Sequence, residues 1–166
     1  MKNTLRIVSV VVVLVLGVGL ASCSTNSERT QLRAEMSLSS NFTSLQKVGV
    51  DDSNNYGWNR LVGRTESNLG ALDVVMLGNV DYKNGSGPFF GFLTFTAPNG
   101  DVLSMRMDGS ARLKSDGVTA LSSKLSIIGG TGSYVDATGD GSFTGQRSAQ
   151  IGAPIEITVT VGVAGL

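Results

Sequence analysis

From about Asn55 onward apolar and polar residues alternate with period two, and no stretch of a dozen residues keeps apolar positions at helical spacing. Over residues 101–113, Leu103, Met105, Met107, Ala111 and Leu113 fall on one side, with Ser104, Arg106, Asp108, Ser110 and Arg112 on the other. Residues 153–163 repeat this with Ile155, Ile157, Val159, Val161 and Val163 opposite Glu156, Thr158 and Thr160. Between them Leu121, Ser123, Leu125 and Ile127 face away from Lys124 and Ser126. The pattern predicts half-buried strands with one wet face. Residues 71–80 and 89–95 instead carry apolar side chains on both faces. Their outer side then needs a cover: a β neighbour, the N-terminal segment, or a second copy of the chain.

Turn residues punctuate these runs at Asn84-Gly85, Asn99-Gly100, Asp116-Gly117, Gly129-Gly130 and Asp140-Gly141. Asn-Gly and Asp-Gly tolerate the positive φ of two-residue hairpins, so successive strands should be antiparallel neighbours. The expected fold is all-β, an antiparallel up-and-down barrel of about seven or eight strands, with a β-sandwich as the alternative. Closure removes exposed sheet edges, which favours the barrel. At 166 residues the chain has room for one such domain.

The first residues follow another rule. Lys2 and Arg6 precede an apolar run over 7–20, shorter than a spanning helix needs, and small residues then lead to Cys23. This is the layout of an export signal, with an uncleaved membrane span as the alternative. Leu20-Ala21-Ser22-Cys23 resembles the lipobox of bacterial lipoproteins. That resemblance implies acylation of the Cys23 sulfur with diacylglycerol and cleavage before it; the alternative is an incidental thiol near an ordinary cleavage site. Two acyl chains hold a protein stably on a membrane where one does not. The expected organisation is a lipoprotein signal peptide over 1–22, a lipidated N-terminus and tether over 23–41, and a barrel over 42–166. Residues 33–38, where Ala34, Met36 and Leu38 alternate with polar positions, form a competing first strand. Cleavage removes Lys2 and Arg6 from the 13 basic residues, leaving 11 against 13 acidic, a formal charge of −2.

Composition narrows the chemistry. With no His, neither a Ser-His-Asp nor a Cys-His nucleophile system can be built, and His-ligated metal sites are excluded. The lone Cys23 rules out an internal disulfide. Balanced charge gives no basic excess for a nucleic-acid partner. Gly129-Gly130-Thr131-Gly132 follows an apolar run, but the G-x-G-x-x-G spacing fails at Val135 and no helix follows to hold a phosphate. Asp136, Thr138, Asp140, Gly141 and Ser142 copy the first half of a calcium loop, yet Arg147 occupies the twelfth position, where a bidentate Glu is required. No cofactor, metal or catalytic constellation is assigned. Asp73 shares a face with Val75 and Leu77, so it is an acid–base candidate if that face is the lumen and a solvated carboxylate if it points outward, the preferred reading. Trp58, Phe90 and Phe92 would stack on a ligand or serve as packing, and Arg60, Arg64 and Arg106 would steer an anion or form wet strand faces.

The sequence from Ile127 to Tyr134, followed by Ala137-Thr138-Gly139-Asp140-Gly141-Ser142-Phe143-Thr144-Gly145, resembles the glycine-rich hairpin of allene oxide cyclase-like and dirigent-like barrels. The likeness is specific over about 20 residues and general over 58–163. It implies a calycin-like eight-stranded barrel with an apolar cavity, often oligomeric. The hairpin carries none of the family's catalytic residues, so no active site is transferred. The leading functional expectation is an extracytoplasmic lipoprotein, anchored to membrane lipid through Cys23, whose non-enzymatic barrel binds a small apolar ligand or an envelope component. Two alternatives stand beside it: a cyclase or isomerase relying on Asp73, and a structural surface protein that assembles as a homo-oligomer.

Overall fold

The computed structural model describes residues 29–166. The leader, the lipobox with Cys23, and the first part of the expected tether lie outside the described residues. Eight strands follow one another: β1 (Thr30–Val48), β2 (Asn54–Ser67), β3 (Gly70–Lys83), β4 (Gly87–Thr96), β5 (Val102–Leu113), β6 (Val118–Gly130), β7 (Thr138–Ser148) and β8 (Ile155–Ala164). Each pairs antiparallel with its chain neighbour, and β1 pairs with β8, so the sheet closes into an up-and-down barrel. The sandwich alternative is set aside, and the architecture is consistent with the calycin-like fold the hairpin resemblance implies.

The expected tether is corrected from Thr30 onward, because residues 30–41 belong to β1. Leu32, Ala34, Met36 and Leu38 point into the core, and residues 30–38 pair with β8. Register against β2 then shifts between Ser40 and Phe42. This bulge changes the inward parity from even to odd positions, which hides the strand from a period-two reading.

Turns form as expected at Asn84-Gly85, where φ is positive at both residues, and at the Asn99-Gly100 and Asp116-Gly117 links. Gly129-Gly130 and Asp140-Gly141 are not turns. The first pair ends β6 beside a register shift opposite Ser104 and Met105, and the second lies within β7. There a side chain at position 141 would strike the Thr160 carbonyl, so glycine serves close strand approach.

Inward-facing Phe95, Leu93, Leu103, Met105, Leu125, Val159 and Val161 are completely or almost completely buried and fill the middle of the barrel. Among the described residues the charged side chains other than Arg147 lie outside, and the inside is mostly apolar. A short 3₁₀ turn (Gly132–Tyr134) and the residues after it place Tyr134 and Ala137 in the core at the end that also holds both termini of the described chain. The β1–β2, β3–β4, β5–β6 and β7–β8 connections gather at the other end.

Candidate functional site

The glycine-rich hairpin builds the capped end. Thr131 pairs with Val102 through its backbone N–H, which donates to the Val102 carbonyl at 2.8 Å, and its hydroxyl, which accepts from the Val102 N–H at 3.0 Å. Asp101 Oδ2 accepts the Ser133 N–H and the Asn99 amide, both at 2.9 Å. The Ser133 N–H, first among these contacts, holds the Asp101 carboxyl below its ordinary pKa. Gly132 has φ of 56°, and a side chain there would collide with the Asp101 carboxylate. The motif that carried the family resemblance is therefore a structural cap.

At the opposite end the inner face leaves a partly open cavity of about 60 Å³. Leu61, Met76, Met107, Leu121 and Phe143 form its apolar wall, Asn59, Tyr82 and Arg147 are its polar members, and residues 151–153 of the β7–β8 connection border it. At 10–15 Å³ per water-sized site it holds roughly four to six small atoms or waters, far short of the roughly 300 Å³ of a drug-sized pocket. The apolar cavity implied by the family resemblance is thus a small one, at one end of an otherwise filled barrel. Phe89 and Phe143 stack at 5.9 Å between centroids and narrow it from one side.

The buried polar side chains among the described residues are Asn59, Thr65, Thr119, Ser123 and Arg147, with no carboxylate among them. The Asn59 carboxamide oxygen accepts from the Ser40 hydroxyl and from Thr43 Oγ1 at 2.9 Å. Thr65 and Ser123 donate to the carbonyls of Glu35 and Lys124 at 2.8 and 2.9 Å. Arg147 is different. Only 7% exposed, it donates from Nη1 to the carbonyls of Ser148 and Ala149 at 2.8 and 2.9 Å, while Nη2 has no partner. Its guanidinium lies 5.7 Å from the centre of the Tyr82 ring, a cation–π contact. Burial pushes the Tyr82 phenol up, against a smaller opposing pull from Arg147, and pushes the Arg147 guanidinium down; an arginine nonetheless stays charged at neutral pH.

The side chains singled out in the sequence sit elsewhere. Asp73 lies on the outer surface and pairs with Arg64 Nε at 2.6 Å, both side chains well exposed, so the cyclase reading loses its lumenal acid. Arg106 also faces out, 3.8 Å from Asp108. Trp58, Phe90 and Phe92 are exposed by 41%, 45% and 44% and share an open outer depression with Leu77. Phe42 stacks on Trp58 at 4.6 Å. Register aligns Phe42, Arg60, Leu77, Phe92 and Arg106 in one row across β1 to β5. No described residue buries this face, so the expected cover over β3 and β4 is not supplied within the described chain. Asp136 to Ser142 enters β7, and among the described residues no three Cys, Asp or Glu side chains converge as metal ligands. In the sequence Arg147 stands out only as the cation that spoils a calcium loop. Its true signal was its place on the Phe143-Gly145-Arg147 face, the inward side of β7.

Comparison with protein-family models, with curated proteins and with solved structures finds no match to this chain.

Proposed function

We propose that this chain is an extracytoplasmic lipoprotein, anchored through acylated Cys23, whose barrel is a non-enzymatic receptor for a small, largely apolar molecule. The observation that carries the binding part is the cavity at the uncapped end, where an apolar wall meets a few polar groups. The lipobox-like Leu20-Ala21-Ser22-Cys23 after an apolar leader supports the anchor. With β1 starting at Thr30, a short stretch separates Cys23 from the barrel. The barrel would therefore stand close to the lipid surface.

Intact-mass and native mass spectrometry of the full chain, expressed in a bacterium with a lipoprotein pathway, test both parts. The expected species begins at Cys23, carries a diacylglyceryl group, and retains or acquires a small molecule from an envelope extract. A species with the leader attached and no acyl mass overturns the anchor, and failure to hold any small molecule overturns the receptor.

One observation favours a second reading, assembly. The Trp58, Leu77, Phe90 and Phe92 face is apolar, contiguous and uncovered within the described chain. On this reading copies of the chain associate through that face. Sedimentation equilibrium would show more than one chain per particle; a monomer at high concentration excludes it.

A further inference from the structure

Arg147 poses a problem that two carbonyls and the Tyr82 ring solve only in part. A guanidinium shut away from water needs an anion, and the ion pairs of the described residues, Arg29–Asp140, Arg64–Asp73 and Arg106–Asp108, are all on the outer surface. Its two bonds to the carbonyls of Ser148 and Ala149 occupy Nη1 alone. Directly across the ladder, Thr119 on β6 faces Arg147 on β7, and the Thr119 hydroxyl also lacks a hydrogen-bond partner. Of the two, Arg147 borders the cavity and Thr119 does not, in a barrel whose other buried serine and threonine side chains, Thr65 and Ser123, are bonded. Such orphans need a physical reason, and an absent ligand is one.

We propose that the cavity takes a short-chain carboxylate, with its anionic end on Arg147 Nη2 and its hydrocarbon end against Leu61, Met107 and Phe143. The inference rests on the reading of this cavity as the ligand site and adds the ligand's charge. The chemistry selects a monoanion: one buried guanidinium with a free Nη2 matches a single negative charge. The apolar wall selects a body of carbon. The volume of about 60 Å³ limits the enclosed part to roughly four to six non-hydrogen atoms, the size of butyrate. Arg147 Nη2 is sealed from solvent, so binding requires a small side-chain shift beneath the β7–β8 connection.

Calorimetric titration of the full-length chain with butyrate, 1-butanol and inorganic phosphate separates the parts of this claim. Butyrate should bind at least about tenfold more tightly than 1-butanol, and phosphate should bind more weakly than butyrate. Arg147→Met should bring butyrate down to the level of the alcohol and leave the alcohol unaffected. Thr119→Val, outside the cavity lining, should leave butyrate binding unchanged. If either variant fails to fold, the arginine side-chain ¹⁵N resonances of the unaltered chain provide the readout: butyrate should shift one of them and 1-butanol should not. Alcohol binding without preference for the acid overturns the carboxylate assignment alone and leaves Arg147 as a clamp on the β7–β8 connection. Phosphate binding equal to butyrate removes the need for a hydrocarbon body and overturns it as well. Binding of neither butyrate nor alcohol overturns the cavity reading itself.

Discussion

Gly109 on β5 lies on the inward face between Met107 and Ala111, and an added methyl group would collide with the Phe89 ring and with the Ser122 carbonyl oxygen. The ring covers the bare backbone, while the carbonyl, tied into the β5–β6 ladder, cannot move aside. Gly109→Ala should destabilise the barrel by about 1–3 kcal/mol, the range for overpacking, as read from chemical denaturation. Phe95→Ala, at a fully buried position, should cost about 3–5 kcal/mol in the same measurement. Alternation makes the inward role of Met105 and Met107 legible from the sequence alone. It did not reveal Gly109, because a glycine shows no side chain to assign to a face, nor Arg147, because a charged residue in an alternating strand is read as solvent-facing. Asp73 and Arg64 were legible as an outward pair only once register set them opposite each other.

At the scale of elements, the capped end depends on one carboxylate. Asp101 ties the 3₁₀ turn to the β4–β5 connection, and its acceptance of the Ser133 N–H lowers its pKa in the folded chain. A depressed folded value means that the stabilisation is complete above the ordinary carboxylate value of about 3.9 and disappears as pH falls below it, through the folded value. Asp101→Asn should lower the thermal midpoint at neutral pH and flatten its fall below about pH 4. Equal slopes for the two proteins in acid would contradict the tie. The glycine-rich hairpin was recognisable from its residues, yet its work was not: Asp101 stands 31 positions before Gly132, and only the barrel brings them together. The same holds for β1, whose bulge between Ser40 and Phe42 breaks the alternation in mid-strand, and the polar residues after it read as linker. Strands free of bulges on their inner face, such as β8, were legible almost residue by residue.

For the whole molecule, hairpin-forming turns and period-two strands were enough to anticipate a closed antiparallel barrel. The degree to which side chains fill it was not legible, because a lumenal and a core position have the same apolar signature. The outer row from Phe42 to Arg106 belongs to this scale as well. Leu77→Lys with Phe92→Glu replaces outward side chains only, so folding stability should change by no more than about 0.5 kcal/mol at each site, while particles larger than the monomer should disappear on sedimentation. Unchanged association would separate assembly from this face.

The receptor reading depends on real space at the uncapped end, and xenon probes such space without charge or hydrogen bonding, since dry apolar cavities take it up. Diffraction from xenon-pressurised crystals of the full chain should place a xenon atom among Leu61, Met107 and Phe143, with none beside Phe95 and Val159 in the middle of the barrel. An end closed to xenon would contradict the account.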